Sequence, residues 1–426
     1  MAGLRIGIDF GTSGCRAVAL DRADRVRALA RVPLPAPNRS GAAVEQDPEV
    51  WREALVEVVR TLVAQLDGAP VSGLAIDGTS GTLLLCADDG TPLTPALLYN
   101  DARAEAEGAA IDAVAPADSP ARGAGSALAR LLWLRRHALP AGATARIQHQ
   151  ADWLAGLLIG RFDLSDDNNV LKLGRDPVAD DWPPWLRQLL DAEGIPAAWL
   201  PQVRRPGTVL GTLAPAMAAR LGLPDGVRIA AGTTDSTATV RAAGATAPGD
   251  AVTILGSTLV LKVIGDTPVA DADAGVYSQP FGDHWLVGGA SNSGGAVLRQ
   301  HFDDTALAAL EACLAPQRPT GLDYYPLPAP GERFPHNDPR LEPRLTPRPD
   351  DDARFLQGML EGIAVIEAEG YRRLAELGAP RPRRILTLGG GARNAAWTAI
   401  RRRLLGVEVT PVLEVEAAAG TATLAP

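Results

Sequence analysis

The chain alternates apolar runs that stop at small-residue turns with stretches whose apolar residues recur every three or four positions. Residues 4–10 and 15–20 are apolar runs around Gly11-Thr12-Ser13-Gly14, which predicts a β-hairpin. Residues 25–33 predict a third strand. Over 48–66, Trp51, Leu55, Val58, Val59 and Leu62 keep helical spacing. Residues 71–76 predict a strand that ends at Asp77-Gly78-Thr79-Ser80-Gly81-Thr82, with 83–86 extended and a turn at Asp89-Gly90. Residues 124–160 read as mostly helical. A buried strand over 227–231 runs into Gly232-Thr233-Thr234-Asp235, and 236–243 reads as a helix.

Residues 252–261 then repeat the opening plan, with Gly256-Ser257-Thr258 between two apolar runs. A strand over 285–289 and a helix over 293–301 follow. Residues 314–351 are rich in Pro and Asp and predict a long irregular segment. Phe355, Met359, Ile363, Ile366, Tyr371, Leu374 and Leu377 fit one face of a long helix. A strand over 384–388 meets Gly389-Gly390-Gly391-Ala392-Arg393-Asn394 before a helix over 395–405, and 414–424 is small-residue-rich and helix-compatible. Alternating strands and helices give an α/β fold. The restart of the hairpin plan puts a domain boundary near 243–249.

Length and composition permit this reading. The chain has 426 residues, enough for two domains with real cores, and 46% apolar content makes it globular. A net charge of −9 argues against nucleic acid or an anionic membrane as a partner. Cys15, Cys86 and Cys313 lie far apart, so neither a disulfide framework nor a zinc site of the usual spacing is expected. No apolar span and no cleavable leader are read, and a cytoplasmic setting is expected. Only Lys172 and Lys262 are lysines, so a phosphate-gripping lysine has two candidates at most.

The two Gly-hydroxyl tips offer backbone N–H groups and hydroxyls that suit phosphate oxygens. Asp9, Asp77 and Asp235 each end an apolar strand beside Gly and hydroxyl residues. A buried carboxylate is costly unless paired or bound to a cation. Each acid alone also reads as a turn or helix cap. Repetition favours one polar cleft. Gly389–Gly391 leaves room for a flat ligand, or forms a loose turn. Trp51, Trp133 and Trp153 read as core, and His149 as structural. No Gly-Lys dipeptide exists for a Walker loop, no G-x-G-x-x-G opens a helix after the first strand, and no G-x-S-x-G elbow is present.

Asp9-Phe10-Gly11-Thr12-Ser13-Gly14-Cys15-Arg16 resembles the phosphate motif of the FGGY carbohydrate kinases, in the actin–hexokinase–Hsp70 superfamily. Ala230-Ala231-Gly232-Thr233-Thr234-Asp235 resembles the segment with that family's catalytic aspartate. Gly256-Ser257-Thr258 is similar to the second phosphate turn, and Gly389–Asn394 with Trp397 to the adenosine motif; Gly331-Glu332-Arg333 also fits. The resemblance implies two ribonuclease-H-like domains with ATP and sugar in a central cleft. They would be a sugar-binding domain of residues 1–242 joined by 415–426, and an ATP-binding domain of 243–414.

Asp235 is then the catalytic base, which also contacts the sugar with Asp9 and Ser80. The resemblance further implies that Asp9 holds Mg²⁺ and that Thr12, Ser13, Arg16, Gly256, Ser257, Thr258, Gly389, Gly390, Gly391, Asn394 and Trp397 bind ATP. Gly78-Thr79-Ser80-Gly81-Thr82 replaces the Gly-Gln-Met/Gln-His-Gly type of sugar loop. The chain looks most like the cyanobacterial and plant xylulose-kinase-like group that acts on D-ribulose. Alternatives are a D-xylulose kinase, another sugar or polyol kinase, and, outside enzymes, an Hsp70-like ATP-driven binding protein or a sugar sensor. The oligomeric state is left open.

Overall fold

A computed structural model describes residues 3–140 and 142–426. These divide into two compact units, one running to Ala242 and taking in Glu416–Pro426, the other Ala243–Val415.

The first unit is built on a seven-stranded sheet. Leu4–Phe10 pairs antiparallel with Gly14–Leu20, which pairs in turn with Val26–Pro33. On its other side Leu4–Phe10 pairs in parallel with Val71–Gly78. Arg228–Ala230 and Thr233–Thr234 pair in parallel with that strand. Nearly continuous apolar sequence suits strands covered on both faces. One face takes the helix Pro48–Val63, whose Trp51, Leu55, Val58, Val59 and Leu62 are fully buried. Its start is local chemistry. Asp47 accepts the N–H of Glu49, Pro48 opens the first turn, and Arg60 sits in the last.

The other face takes the short helix Ala417–Ala422, whose Ala418 and Ala422 cluster with Val18 and Leu20. Two glycines allow this approach. A Cβ on Gly7 would lie 2.0 Å from the Ala418 carbonyl oxygen, and one on Gly420 2.0 Å from that of Ala238. The small-residue composition near the C-terminus is therefore a packing requirement: backbone lies on backbone.

A second, five-stranded sheet joins Asn38–Ser40, Ala43–Gln46, Ala96–Leu97, Leu83–Cys86 and Arg146–His149. Its last strand corrects the helical reading of 124–160. The segment is two helices, Ala127–His137 and Gln150–Ile159, separated by that strand. Four residues between Ala- and Leu-rich helices are too few to show a period of two. Their extended state is fixed by pairing with the distant Leu83–Cys86. His149 is buried, with Nδ1 2.8 Å from Asp152 Oδ2. Trp51 and Trp153 are core, 6.5 Å apart edge to face, and Trp133 is half-buried.

The second unit repeats the plan of the first. Asp250–Leu255 pairs antiparallel with Leu259–Gly265 and in parallel with Arg384–Leu388, which pairs with Glu408–Pro411. His284–Ser291 and Tyr277–Phe281 extend the hairpin side. The long helix is Asp352–Glu376, capped by Asp351 and burying the expected stripe from Phe355 to Leu374. The helix expected over 293–301 is only Gly295–Arg299. The N–H groups of Gly295 and Ala296 are bonded to the carbonyls of Gly256 and Ser257, at 2.8 and 3.1 Å, so its start is tied to the turn. Among the described residues no helix is long and apolar enough to cross a membrane.

Gly7→Ala should lower folding stability by at least ~2 kcal/mol, because backbone must move to admit a methyl group. Gly125→Ala, which meets nothing within 4 Å, should change it by less than ~0.5 kcal/mol. Urea midpoints measure both. Equal midpoints would mean that the C-terminal helix does not pack on the first strand.

Candidate active site

The sheet of the first unit brings three carboxylates to one end. Asp9 stands opposite Asp77 in the parallel register, and Thr233 stands opposite Asp77 on the other side. Two residues later Asp235 opens the helix Asp235–Ala242. Asp9 and Asp77 are buried. Burial first, and the neighbouring Asp9 charge second, hold Asp77 well above the usual carboxylate range; a hydrogen bond from Thr421 opposes them. Thr421 donates to Asp77 Oδ2, while Asp77 Oδ1 has no hydrogen-bond partner among the described residues. Burial also pushes the Asp235 carboxyl up to about 6, against the N–H of Ser236. The Asp9 charge adds to that rise, while Lys172 and the N–H of Ser80 draw it back. Asp235 Oδ1 accepts the Ser236 N–H at 2.7 Å, so the carboxylate sits on the first turn of its helix as well as beside the other acids.

Arg16 faces Asp9 in the hairpin register and places Nη1 3.2 Å from Asp9 Oδ2. Its Nε is 3.4 Å from Glu416 Oε2, so this guanidinium is in a salt-bridged cluster. Among the described residues no group of three or more His, Cys, Asp or Glu is arranged to hold a metal ion by itself. A single strand-end carboxylate beside hydroxyls does fit Mg²⁺, which keeps waters and relies on substrate phosphates for much of its shell.

In the loop after Val71–Gly78, most hydroxyls are used internally. Thr79 Oγ1 and Thr82 Oγ1 are 2.5 Å apart, Thr79 also bonds Gln150 Oε1, and Thr82 accepts the N–H of Tyr99. The Ser80 hydroxyl is left without a hydrogen-bond partner among the described residues. Gly81 adopts φ +88°, and its carbonyl accepts from the buried Arg130 at 3.0 Å. A Cβ on Gly81 would lie 3.5 Å from Lys172 Cδ. Lys172 lies on the short 3₁₀ helix Asn169–Leu173. Burial and then Arg130 lower the pKa of its ammonium, and Asp235 raises it. Sequence reasoning named Lys172 only as one of two candidate phosphate-gripping lysines and did not associate it with Asp235. The available signal was a rare lysine between two leucines, in a segment whose position depends on distant strands.

The two turns are short exposed tips. Gly11 N–H bonds Gly14 O at 3.1 Å, with Thr12 half-buried and Ser13 exposed. Gly256 N–H bonds Thr258 O at 3.1 Å, with Ser257 exposed. In the second unit Gly256, Ser257, Gly390, Gly391, Asn394 and Trp397 line one cavity of about 460 Å³; Thr258 and Gly389 do not line it. Gly389 is a turn glycine at φ +87°, and a Cβ there would lie 2.5 Å from Leu255 O. Gly390 has open space in front of it. Asn394 caps the helix Ala395–Leu405, accepting the Trp397 N–H at 2.6 Å. Trp397 is buried and donates Nε1–H to Leu360 O at 3.1 Å, so it is core as well as cavity wall. Where Asp9 faces Asp77 in the first unit, Ile254 faces Leu388 in the second. Of the two matching strand ends, then, only the first unit's carries acids, and the second unit has a cavity of nucleoside size.

Residues 4–241 match the model of the FGGY family of carbohydrate kinases, N-terminal domain, and residues 251–425 match that of the C-terminal domain. The chain is 30% identical to a xylulose kinase of Streptomyces rubiginosus, over 99% of this chain and 87% of that protein. It is 27% identical to a xylulose kinase of Escherichia coli K12, over 92% of this chain and 83% of that protein. The crystal structure of xylulose kinase from Rhodospirillum rubrum superposes with a TM-score of 0.86 at 25% identity, covering 99% of this chain and 89% of that one.

The crowding of Asp77 has a measurable consequence. A carboxyl whose folded pKa is raised binds its proton more tightly folded than unfolded. Its contribution is therefore lost as pH rises from the ordinary carboxylate range through the folded value. Asp77→Asn keeps an acceptor for Thr421 and cannot ionise. Its thermal midpoint should exceed that of the wild type at pH 8, and the gap should narrow toward pH 4. A lower midpoint at pH 8 would show that Asp77 is a stabilising anion.

Proposed function

The chain belongs to the FGGY family of carbohydrate kinases and is a sugar kinase, and from that premise we propose that it transfers the γ-phosphoryl group of ATP to the terminal hydroxyl of a ketopentose, D-ribulose first. The observation that carries the reading is the placement of Asp235, two residues after the Thr233 that stands opposite Asp77 at the acidic sheet end, with its carboxyl pushed up by burial to about 6. That value lies below pH 7, so the ionised form predominates and can accept a proton. Phosphoryl transfer needs alignment and charge neutralisation more than a strong base. Asp235 orients the sugar hydroxyl and takes its proton late, as the oxygen–phosphorus bond forms and the bond to the ADP oxygen breaks. Ser80 offers the loop's unengaged hydroxyl to the sugar.

Asp9 would hold Mg²⁺, whose charge would neutralise that of the phosphates. Thr12 and Ser13 on one turn and Gly256–Thr258 on the other donate N–H and hydroxyl groups to phosphate oxygens, with Arg16 supplying positive charge. Gly389, Gly390, Gly391, Asn394 and Trp397 form or support the adenosine cavity. The first unit handles the sugar and the second the nucleotide.

The choice of D-ribulose rests on the Gly78–Thr82 loop, which has small residues where the commoner sugar loop has Gln and His. The names of the relatives favour a second reading, D-xylulose. Coupled ADP-release kinetics decide between them. D-Ribulose should give the highest kcat/KM among D-ribulose, D-xylulose and glycerol; a higher value for D-xylulose establishes the second reading. With the best sugar, Asp235→Asn should lower kcat by ~10²–10⁴-fold and leave ADP binding intact. Activity within a few-fold of wild type would return Asp235 to a helix cap.

Gly390→Val adds a side chain where nothing lies within 4 Å, so the fold should tolerate it while the cavity fills. Calorimetry should show ADP affinity reduced by roughly tenfold or more, with an unchanged thermal midpoint. Unchanged affinity would remove this loop from the nucleotide site.

A further inference from the structure

Asp235 follows a two-residue strand, Thr233–Thr234, that is too short to fix its own position. On one side the chain rests on Val71–Gly78: a Cβ on Gly232 would lie 1.7 Å from Ile76 O, and Thr233 stands opposite Asp77. On the other side is a segment outside the motifs quoted from the sequence. It begins with the strand Leu164–Asp166 and continues into the 3₁₀ helix Asn169–Leu173.

Asp166 organises this segment. Its Oδ1 accepts the N–H groups of Asn168 and Asn169 at 2.9 and 3.0 Å, and its Oδ2 accepts Asn169 Nδ2 at 2.6 Å. The two asparagines then reach Thr233. Asn168 Nδ2 donates to Thr233 Oγ1 at 2.9 Å, and Asn169 Nδ2 reaches Thr233 O at 3.4 Å. All four residues are buried. Asn168 Oδ1 and Asn169 Oδ1 have no hydrogen-bond partner among the described residues, which costs stability. The same 3₁₀ helix carries Lys172, the cation whose charge acts on Asp235. One segment thus grips the chain just before the acid and carries a lysine whose charge acts on it.

We propose that the Asp166–Asn168–Asn169 turn is a brace that fixes the chain leading into Asp235, and that Asn168 and Thr233 are positioning residues for phosphoryl transfer. The proposal rests on Asp235 as the base. Asn168 and Thr233 touch no reacting atom in this scheme; they fix the backbone from which Asp235 projects. Small misplacements of a reacting group carry large rate penalties. Their loss should therefore appear in kcat and leave sugar affinity and the nucleotide cavity alone.

The test compares Asn168→Ala, Thr233→Val, Thr233→Ser and the Asn168→Ala/Thr233→Val double variant with wild type and Asp235→Asn, on D-ribulose and D-xylulose. Asn168→Ala and Thr233→Val should each lower kcat by about ten- to a hundredfold, with sugar KM changed by less than about threefold. Thr233→Ser keeps the hydroxyl and should restore wild-type kcat. The double variant should be no slower than the slower single one, because both remove the same hydrogen bond. Asp235→Asn that retains activity overturns the base assignment and the brace with it. If Asp235→Asn is inactive while Thr233→Val keeps wild-type kcat, the base stands and the brace is wrong. Losses that multiply in the double variant, or Thr233→Ser as slow as Thr233→Val, also overturn it. Thr233→Val is nearly isosteric, so this pair decides the matter even if Asn168→Ala does not fold.

Discussion

Three carboxylates at the end of one sheet, on backbone that leaves them little water, are the constraint around which the first unit is arranged. Burial disfavours the ionised forms of Asp77 and Asp235, and the neighbouring Asp9 charge adds to the effect. Each acid is given a different compensation. Asp9 has the Arg16 guanidinium, Asp77 has the Thr421 hydroxyl, and Asp235 has the Lys172 charge with the N–H groups of Ser80 and Ser236. The result is graded. Asp77 stays well above its ordinary range, whereas Asp235 rises only to about 6 and can act as a base near neutrality.

These compensations come from distant parts of the chain. Arg16 is a hairpin neighbour, but Lys172 arrives on a 3₁₀ helix and Thr421 on the C-terminal helix. That helix packs closely on the sheet because Gly7 lacks a side chain, and on the helix Asp235–Ala242 because Gly420 does. Packing and chemistry therefore share residues: a methyl group at Gly7 would displace the backbone that delivers Thr421. The second unit has the same strand plan without acids, and its corresponding strand end, Ile254 opposite Leu388, is apolar. One architecture used twice yields an acidic site in one copy and an apolar cavity in the other.

Much of this was legible in the chain, because the informative features are local. Apolar runs ending in Gly-hydroxyl tips place Asp9, Asp77, Asp235 and the turn at Gly256 without knowledge of distant contacts. The stripe from Phe355 to Leu374 gives the long helix. Features set by non-local pairing were not legible. Arg146–His149 is a strand because Leu83–Cys86 lies beside it, and the start of Gly295–Arg299 is fixed by carbonyls of the Gly256 turn. The role of 166–172 was hidden for the same reason. Asp166 and the two asparagines carry no local pattern that marks them; Thr233, more than sixty positions away, is brought against them only by folding.

The most direct test of a base tuned by burial is the pH dependence of kcat/KM for the sugar at saturating Mg-ATP. A base must be ionised to work, so the rate should rise with pH and level off above an apparent pKa of about 6, the value to which burial pushes Asp235. Lys172→Met removes the positive charge that favours the ionised form, so it should move that limb to higher pH. A limb at the ordinary carboxylate value near ~3.9, or one that Lys172→Met leaves in place, would contradict the account.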